Sequence, residues 1–451
     1  MNTIRSDAKP AVSDNPRRVV LDVLYAVENT GAYANIALSE ALQKIPASNE
    51  RHAFITELVY GTLRMRGTID YILAQFYKKP LEKLPLRILL ALRIGVYQLR
   101  FMSRVPQSAA VNESVKLAKK YGHQGTASLT NAILRNVIRS GDKIKFPDKD
   151  SDPAGYIAAV SSHPVWLVQE WLERFGFADT LALCDFDNRP APYTLRVNTL
   201  RCSRDEVLQR LAAEGTIAEP LAFPDDGILI SGGSAGALIR EGLLYPQQQS
   251  SMLAAHVLSP APGSRVLDVC AAPGGKTTHM AALMQNRGEI RAFDLHEHKL
   301  GLIRNNAERL GISIIRTQQA DSRELTDVPD GWADYVLVDA PCSGLGVLRS
   351  RPDSRWRKSA DTSREIAPTA YAILQEAARK LRPGGQLLFS TCTISERENE
   401  ETIKLFLAEH QDFAPLPIEC CPELFGGQSS LQVLPQQHGM EGFFFARLQR
   451  L

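Results

Sequence analysis

The stretch SRVLDVCAAPGGKTTHMAALM (264–284) decides the fold of the second half of this chain. Residues 264–270 are rich in Val and Leu, as is typical of a buried parallel strand, and residues 276–284 favour a helix. Gly274 and Gly275 lie between them and let a ligand approach the backbone where a side chain would block it. A strand, a glycine turn and a helix form the first unit of an α/β domain that binds a dinucleotide or a nucleoside.

The same stretch resembles a phosphate-binding loop, but incompletely. The Walker pattern requires Gly, four residues and then Gly-Lys-Ser/Thr. Gly275, Lys276 and Thr277 supply the second half, whereas Cys270 occupies the position of the first glycine. Pro273 lacks the backbone N–H that a phosphate would need. These departures argue against a nucleotide triphosphatase.

A second strand, within 288–300, is predicted to end at Asp294, about 20 residues after the glycine turn. An acidic side chain at that distance commonly binds the ribose hydroxyls of a cofactor. The alternative is an ordinary βαβ turn followed by a surface aspartate.

The bulk composition is that of a globular protein. The 451 residues allow about three domains, and 44% are hydrophobic and 23% charged. Residues 1–18 lack the apolar core of a signal peptide. The longest apolar stretch, 86–99, contains Arg87 and Arg93 and is too short to cross a bilayer. We expect a cytoplasmic protein with no membrane partner.

The cysteines indicate free thiols in a reducing compartment. They are odd in number and scattered, without a Cys-x-x-Cys pair, which disfavours a disulfide framework and a zinc site. No metal is therefore expected. The cysteines are Cys184, Cys202, Cys270, Cys342, Cys392, Cys420 and Cys421.

Charge is distributed unevenly, although the net charge is only +2. Residues 1–145 contain 22 Lys/Arg against 11 Asp/Glu, whereas residues 146–451 contain 30 against 39. A basic domain favours an anionic polymer as its partner. A solvated basic face without a partner is the alternative.

The patterning predicts an all-α bundle, a small α+β module and a Rossmann-like α/β domain. Apolar residues recur every three or four positions from about 16 to 140, which predicts a helical bundle that we place at 1–142. A polar, proline-bearing linker is placed at 143–162. A segment in which apolar and polar residues alternate, and a helical segment that begins with a capping residue, place the α+β module at 163–249. The nucleoside-binding domain is placed at 250–451.

Three further predicted strands end near polar or reactive side chains. One ends at Asp321, one at Asp339 with Cys342 just beyond it, and one at Cys392. Because ligands of an open parallel sheet bind outside the carboxyl ends of its strands, these side chains, Asp294 and the glycine turn are expected to meet at one edge.

Two cysteines and an aspartate beside a nucleoside cofactor fit methyl transfer to C5 of cytosine. A thiolate that adds to C6 makes C5 nucleophilic, and a cysteine with a pKa of about 8.5 provides some thiolate near neutral pH. A carboxyl group at N3 stabilises the addition, and a base then removes the C5 proton. Two small buried cysteines without such a role are the alternative.

Methylation of an exocyclic amine needs no thiol, and its sites usually contain Asp/Asn-Pro-Pro followed by an aromatic residue. The run here is Asp339-Ala340-Pro341-Cys342, which argues against that chemistry. The spacing alone leaves open which of the two cysteines attacks.

Three motifs resemble the signatures of RNA cytosine-5 methyltransferases that use S-adenosylmethionine. They are VLDVCAAPGGKT (266–277), VDAPCSGLGVLRSRPDSRW (338–356) and STCTISERENE (390–400). The resemblance implies a class I S-adenosylmethionine-dependent methyltransferase domain.

The first half of the chain narrows the resemblance. LVYGTLR (58–64), AAVNESVKLAKKYG (109–122) and LTNAILRNVIR (129–139) resemble the NusB-like RNA-binding domain fused to bacterial RsmB (Fmu/Sun) enzymes. HGMEGFFFARLQR (438–450) is similar to the closing strand pair of that family.

The resemblance implies roles for individual residues. Cys392, in the Thr-Cys motif, is implied to be the nucleophile, and Cys342, in the Pro-Cys motif, to assist product release. Asp339 is implied to lie at the methionine and target-base side, as base or N3 contact. The implied cofactor-binding residues are Cys270, Ala271, Ala272, Pro273, Gly274, Gly275, Lys276, Asp294 at the ribose, Asp321 at the adenine, and Asp339.

The substrate implied by the resemblance is 16S rRNA, at cytosine 967, either as naked RNA or in an early small-subunit particle. A monomer is expected. Gln248 stands where the family usually has an acid. The alternatives are an RNA-binding assembly or antitermination factor with a relic methyltransferase fold, and the same chemistry on tRNA or DNA.

Overall fold

The structure is a computed structural model that describes residues 15–46 and 49–451. The chain forms two compact units. The first, the helical unit, comprises the residues up to Arg189 together with Ser350–Arg357; the second comprises Pro190–Arg349 and Lys358–Leu451. Within the described ranges, no helix combines the length and the apolar character that crossing a membrane requires.

The helical unit packs the apolar stripes of its helices into one core, which includes Leu24, Leu58, Ile72 and Leu92. Asn15 caps its first helix by accepting a hydrogen bond from the backbone N–H of Arg17 at 2.9 Å. The predicted helical segments correspond to α1–α7. The helices are α1 Pro16–Asn29, α2 Ala34–Gln43, α3 Asn49–Arg64, α4 Arg66–Phe76, α5 Leu86–Phe101, α6 Gln107–Tyr121, α7 Gln124–Ser140, α8 Pro153–Ser161 and α9 Val165–Asp187.

Helix α8 lies inside the segment that the sequence places as a linker. The Asp152 side chain caps it by accepting a hydrogen bond from Gly155 N at 2.8 Å, and Pro153 occupies its first turn. Asp, Pro and Gly also form turns, so the sequence alone did not separate a capped helix from a loop. Helix α9, predicted within the α+β module, belongs to the helical unit. The domain boundaries remain a prediction.

The segment Ser350–Arg357 completes the helical unit. Arg355 is fully buried and donates a hydrogen bond to the carbonyl of Ser162 at 2.8 Å. The indole N–H of Trp356 donates to the carbonyl of Leu63 at 2.8 Å. Eight residues that follow the Pro-Cys motif therefore belong to the packing of the helical unit.

The second unit contains a small antiparallel sheet with strand order β2-β3-β1-β4. With its two helices it forms the small module, whose core includes Leu195, Val207, Ile228 and Leu244. A capping box between Ser203 and Glu206 starts α10, as predicted. The elements are β1 Tyr193–Val197, α10 Arg204–Ala213, β2 Ile217–Pro220, β3 Gly227–Gly232, α11 Gly236–Arg240 and β4 Leu244–Pro246.

The large sheet of the second unit has the strand order β10-β12-β9-β8-β5-β6-β7, and β11 pairs with β12. Strands β5 to β9 run parallel, whereas β12 pairs antiparallel with β9, β10 and β11. The strands are β5 Arg265–Asp268, β6 Glu289–Asp294, β7 Ile315–Gln319, β8 Ala333–Asp339, β9 Leu381–Thr391, β10 Phe413–Pro415, β11 Ser430–Val433 and β12 Phe443–Arg450.

Side chains alternate between the two faces of this sheet, and each face is buried in its own core. One core includes Val266 and Leu337, and the other includes Leu267 and Val338. The predicted order of an all-α bundle, a small α+β module and a Rossmann-like α/β domain is confirmed. The remaining helices are α12 Gln249–Leu258, α13 Gly275–Leu283, α14 Glu297–Leu310, α15 Thr362–Lys380, α16 Glu400–Glu409, α17 Pro422–Phe425 and α18 Pro435–His438.

Candidate active site

The glycine turn joins β5 to α13, at the point where the order of the parallel strands reverses. Gly274 has a φ of +100°, and a Cβ there would lie 3.2 Å from the backbone of Ile303, so glycine is required. The Thr277 hydroxyl donates to Asp268 Oδ2 at 2.7 Å and ties the first turn of α13 to the end of β5. The turn therefore has one fixed conformation.

Burial controls the ionisation of two side chains beneath the turn. It raises the pKa of Asp268 to about 7, although the hydrogen bond from Thr277 opposes the shift. It also raises the pKa of Cys270 well above its usual value, so this thiol keeps its proton. A thiol that keeps its proton is a poor nucleophile.

Two acidic side chains follow the neighbouring strands β6 and β7. Asp294 ends β6, as predicted, and its Oδ1 accepts a hydrogen bond from His296 N at 3.0 Å. Leu295, beside it, is 53% exposed. Asp321 lies two residues beyond β7 and forms an ion pair with Arg323 at 2.5 Å, whose hydrogen bonds hold the pKa of that carboxyl below its usual value.

Lys276 and Asp339 form an ion pair on the other side of the turn. Lys276 Nζ donates to Asp339 Oδ2 at 2.6 Å, and Ser390 Oγ donates to Oδ1 at 3.1 Å. Burial lowers the pKa of Lys276, but Asp339 and the more distant Cys392 outweigh it, so the pKa is raised and the ammonium persists. The ammonium also lies 5.1 Å from the centre of the Phe443 ring.

The two predicted cysteines lie next to each other beyond β8 and β9. The sulfur atoms of Cys342 and Cys392 are 3.4 Å apart, and both residues are partly exposed. The hydrogen bond between the sulfurs, together with burial, raises the pKa of Cys342. Gly346 N donates to the carbonyl of Cys392 at 3.1 Å and joins the two loops again through the backbone.

Glu398 is a site residue that sequence reasoning missed. It is 1% exposed and accepts hydrogen bonds from Ser343 N at 2.6 Å and from Ser343 Oγ at 2.5 Å. The hydroxyls of Ser363 and Thr393 also donate to it, at 2.8 and 3.4 Å. Because Ser343 and Thr393 each directly follow a thiol, one carboxylate fixes both cysteine loops.

The amide at position 248 has a partner. Gln248 Nε2 donates to Glu441 Oε1 at 3.4 Å, and the carbonyl of Glu441 accepts a hydrogen bond from Ser250 Oγ at 2.6 Å. A carboxylate at position 248 would face Glu441 with like charge. The amide therefore avoids the like-charge contact that an acid at position 248 would make with Glu441.

A cluster of Asp226, His256 and His279 lies behind α13, with potential ligand atoms within 4.8 Å of one another. Both imidazole Nε2 atoms face the carboxylate, at 3.1 and 2.6 Å. A histidine that binds a metal usually donates through its other ring nitrogen, whereas Nδ1 of His279 has no hydrogen-bond partner among the described residues. The contacts fit a buried carboxylate that accepts hydrogen bonds from two imidazole N–H groups better than they fit a metal site.

The sequence-predicted residues thus lie along the carboxyl edge of the parallel strands. The glycine turn follows the central strand β5, Asp294 and Asp321 follow β6 and β7, and the two thiols follow β8 and β9. The contacts join Lys276 of the turn to Asp339, and one cysteine to the other.

Comparison with known proteins gives three matching family models. Residues 255–449 match the 16S rRNA methyltransferase RsmB/F model, residues 14–139 the NusB family, and residues 163–235 a ferredoxin-like domain of RsmF/B-like methyltransferases. The chain is 39% identical to the probable ribosomal RNA small subunit methyltransferase B of Bacillus subtilis, over 96% of this chain and 98% of that protein. The chain belongs to the RsmB/F methyltransferase family.

Other relatives support the same family. The ribosomal RNA small subunit methyltransferase B of Pseudomonas putida is 33% identical over 97% of this chain and 99% of its own. The crystal structure of PH0851 has a TM-score of 0.83 and 26% identity, covering 97% and 99% of the two chains. A methyltransferase homologue from Pyrococcus horikoshii has a TM-score of 0.57 and 28% identity, covering 65% of this chain and 98% of its own.

This RsmB/F methyltransferase uses S-adenosylmethionine to methylate ribosomal RNA. The groups at the β6–β7 edge fit that donor chemically. Asp294 offers acceptors for two hydroxyls, the exposed Leu295 an apolar face for a base, and Asp321 an acceptor for an amino group.

Proposed function

We propose that this methyltransferase transfers the methyl group to C5 of a cytosine in 16S rRNA, at cytosine 967, through a covalent adduct with Cys392. The observation that carries the proposal is the pair of thiols 3.4 Å apart beside the Lys276–Asp339 ion pair. S-adenosylmethionine supplies an electrophilic methyl group when bound. The chain must activate the cytosine.

Cys392 is the nucleophile in this proposal, and two features support that choice. The ammonium of Lys276 is within electrostatic reach of Cys392 and stabilises a thiolate there. The raised pKa of Cys342 keeps a proton on that sulfur, which can donate to Cys392. The Cys392 thiolate adds to C6, and the electron pair of the C5–C6 bond becomes available at C5.

Asp339 contacts the base edge and later removes the C5 proton. As the thiolate adds to C6, N3 takes up a proton that passes from Lys276 through Asp339 across the 2.6 Å bond, which leaves Asp339 as the carboxylate. After methylation the Asp339 carboxylate takes the C5 proton. The C6–S bond then breaks and its electron pair goes to Cys392, and Cys342 donates a proton to that sulfur. The N3 proton returns to Lys276, and Asp339 releases the C5 proton to solvent.

The cofactor-binding residues in this proposal are 270–276, Asp294, Asp321 and Asp339. Asp294 binds the ribose and Asp321 the adenine in this proposal, as the family resemblance implies, and both follow strands on one side of the turn. The thiols follow the two strands on the other side, so the methyl group of the donor and the target base would meet at the turn. Metal ions have no role in these steps.

The decisive experiment uses 16S rRNA fragments with 5-fluorocytosine at the target position. Because fluorine cannot leave as a cation from C5, methylation traps the protein on the RNA. We expect a denaturation-resistant adduct with the wild type and with Cys202→Ala, a control at a half-buried thiol of the small module. Cys392→Ala abolishes the adduct. Cys342→Ala accumulates an adduct even with ordinary cytosine, and an adduct that survives Cys392→Ala would reverse the two roles.

The NusB-like region, residues 1–142, is proposed to bind the RNA, in agreement with the excess of basic residues in 1–145 and the match of 14–139 to the NusB family. Methylation of an unmodified 16S rRNA fragment, but not of tRNA, is the expected specificity. RNA binding without methyl transfer to either RNA would favour an assembly factor with a relic fold. Because binding would release counterions, affinity should fall on the order of a thousandfold between 50 and 200 mM salt for ~6 phosphate contacts.

A further inference from the structure

Arg196 connects the small module to the helix that follows the glycine turn. It lies on β1 and is 1% exposed. Its Nη1 donates to the carbonyl of Gly275 at 2.7 Å and to Gln247 Oε1 at 2.8 Å, and its Nη2 donates to Thr278 Oγ1 at 3.0 Å. A guanidinium from one sheet therefore holds the first turn of α13, which is attached to the other sheet.

The contact with Thr278 continues to the glycine turn itself. The Thr278 hydroxyl accepts from Arg196 and donates to the carbonyl of Gly274 at 2.7 Å. Hydrogen bonds in such a chain polarise one another. The charge of Arg196 thus strengthens the bond that orients the Gly274 peptide, which has the left-handed conformation of the turn.

The chemistry of the contact requires an arginine. A guanidinium presents its donors in a fixed planar fork, so its two terminal nitrogens reach acceptors at separate places, whereas the three donors of a lysine converge on one nitrogen. Burial lowers the pKa of Arg196 to about 10, which still leaves it charged at neutral pH. Its three acceptors are uncharged, and the ring of Tyr245 lies 5.1 Å from the guanidinium carbon.

Packing of the small module does not account for a buried cation at this position. The module has its own apolar core, and burial of the guanidinium carries a desolvation cost that the charge of Asp226, in the same module, offsets only in part. Two of the three acceptors, the carbonyl of Gly275 and the hydroxyl of Thr278, belong to the first turn of α13, and the benefit of the buried cation lies there.

We propose that Arg196 is a positioning residue of the S-adenosylmethionine site, through which the small module fixes the glycine turn in its binding conformation. The inference rests on the proposed function, in which residues 270–276 bind the donor. It assigns the module a role in donor binding, in addition to any contact with RNA.

The test measures the binding of S-adenosylhomocysteine to the ligand-free full chain by calorimetry. Arg196→Met removes the three hydrogen bonds and is expected to weaken binding about tenfold or more, and Arg196→Lys to weaken it less. Asn198→Ala is the matched control. It deletes buried bonds from the same end of β1 to the carbonyls of Gly242 and Leu310, at 2.8 and 2.9 Å, without touching the turn.

Two further readouts separate positioning from general packing. In the ligand-free chain, hydrogen exchange of the backbone amides of 271–278 should accelerate in Arg196→Met and not in Asn198→Ala. In methyl transfer, the KM for S-adenosylmethionine should rise while kcat at saturating donor stays close to the wild-type value. Arg196→Lys keeps the charge and serves as the test variant if Arg196→Met fails to fold.

Asp294→Asn distinguishes the failure of this inference from the failure of the proposed function. Unchanged affinity in the Arg196 variants with weakened binding in Asp294→Asn overturns the role of Arg196 alone. Unchanged affinity in all of them overturns the proposed donor site as well. If Asn198→Ala and Arg196→Met lose the same affinity, the effect comes from packing of the small module in general. That outcome also overturns the inference.

Discussion

Glu398 accepts two hydrogen bonds from Ser343, one from the backbone N–H at 2.6 Å and one from the hydroxyl at 2.5 Å. Ser343 directly follows Cys342, and Thr393, a further donor to Glu398, directly follows Cys392. The carboxylate therefore connects the loops after β8 and β9 and stabilises the arrangement in which the two sulfurs are 3.4 Å apart.

Glu398→Gln should slow adduct formation with little change in RNA binding. A Gln side chain has only one acceptor oxygen. Its NH2 group replaces the other carboxylate oxygen and cannot accept a hydrogen bond from Ser343 or Ser363. We expect the rate to fall about 10- to 100-fold, because misplacement of a reacting group by about 1 Å has effects of that size. The measurement is the rate of covalent adduct formation with 5-fluorocytosine RNA. Glu401→Gln, at an exposed position of α16, is the control and should react at the wild-type rate.

Lys276→Met should impair the chemical step and shift its pH dependence. The ammonium pairs with Asp339 and stabilises a thiolate at Cys392. Without it, the rate at neutral pH should fall on the order of a hundredfold. Because the thiolate would then form only at higher pH, the rate should recover as the pH rises. A pH profile of single-turnover adduct formation tests this, and an unshifted profile with a reduced rate would assign Lys276 to donor binding instead.

Asp268→Asn should make the ligand-free protein more stable above neutral pH. Burial raises the pKa of Asp268 to about 7, so its favourable contribution is complete below the unfolded value near 4 and is lost as the pH rises towards 7. The free energy of unfolding of the wild type should therefore decrease relative to the variant by roughly 3 kcal/mol between pH 5 and pH 8. Urea unfolding of both proteins at the two pH values measures the difference. A constant difference would mean that Asp268 does not titrate in this range.

Arg355→Met should destabilise the helical unit. Its Nη1 also donates to the carbonyl of Arg64 and to Asn188 Oδ1, at 3.2 and 3.0 Å, so the substitution leaves buried acceptors without their donor. We expect a loss of about 3 kcal/mol in the free energy of unfolding, measured with urea and circular dichroism. Arg364→Met, at a side chain that is 68% exposed, should change it little.

The positions of the strand ends could be predicted from the sequence because two general rules apply. Val- and Leu-rich runs indicate buried parallel strands, and the carboxyl ends of such strands meet at one edge. Asp294 and Asp339 accordingly end β6 and β8. Neither rule says which side chains touch across that edge, so the ion pair of Lys276 with Asp339 required the structure.

Contacts between distant segments could not be predicted. Glu398 belongs to the acidic run SERENE (395–400), and nothing in its neighbours separates it from Glu396 or Glu400, which are exposed. Its burial depends on Ser343, 55 residues earlier in the chain. Arg196 is likewise one arginine in an alternating strand, and its partners at 275 and 278 lie about 80 residues away.

The assignment of Ser350–Arg357 to the helical unit has a consequence for protein engineering. A chimaera that exchanged the NusB-like region with that of another family member at a single crossover would leave this segment with foreign partners. Arg355 and Trp356 would then face carbonyls from a sequence with which they did not evolve. Recombination therefore requires two exchanged pieces, and a shortened enzyme that begins near Pro190 would need a redesigned loop at this point.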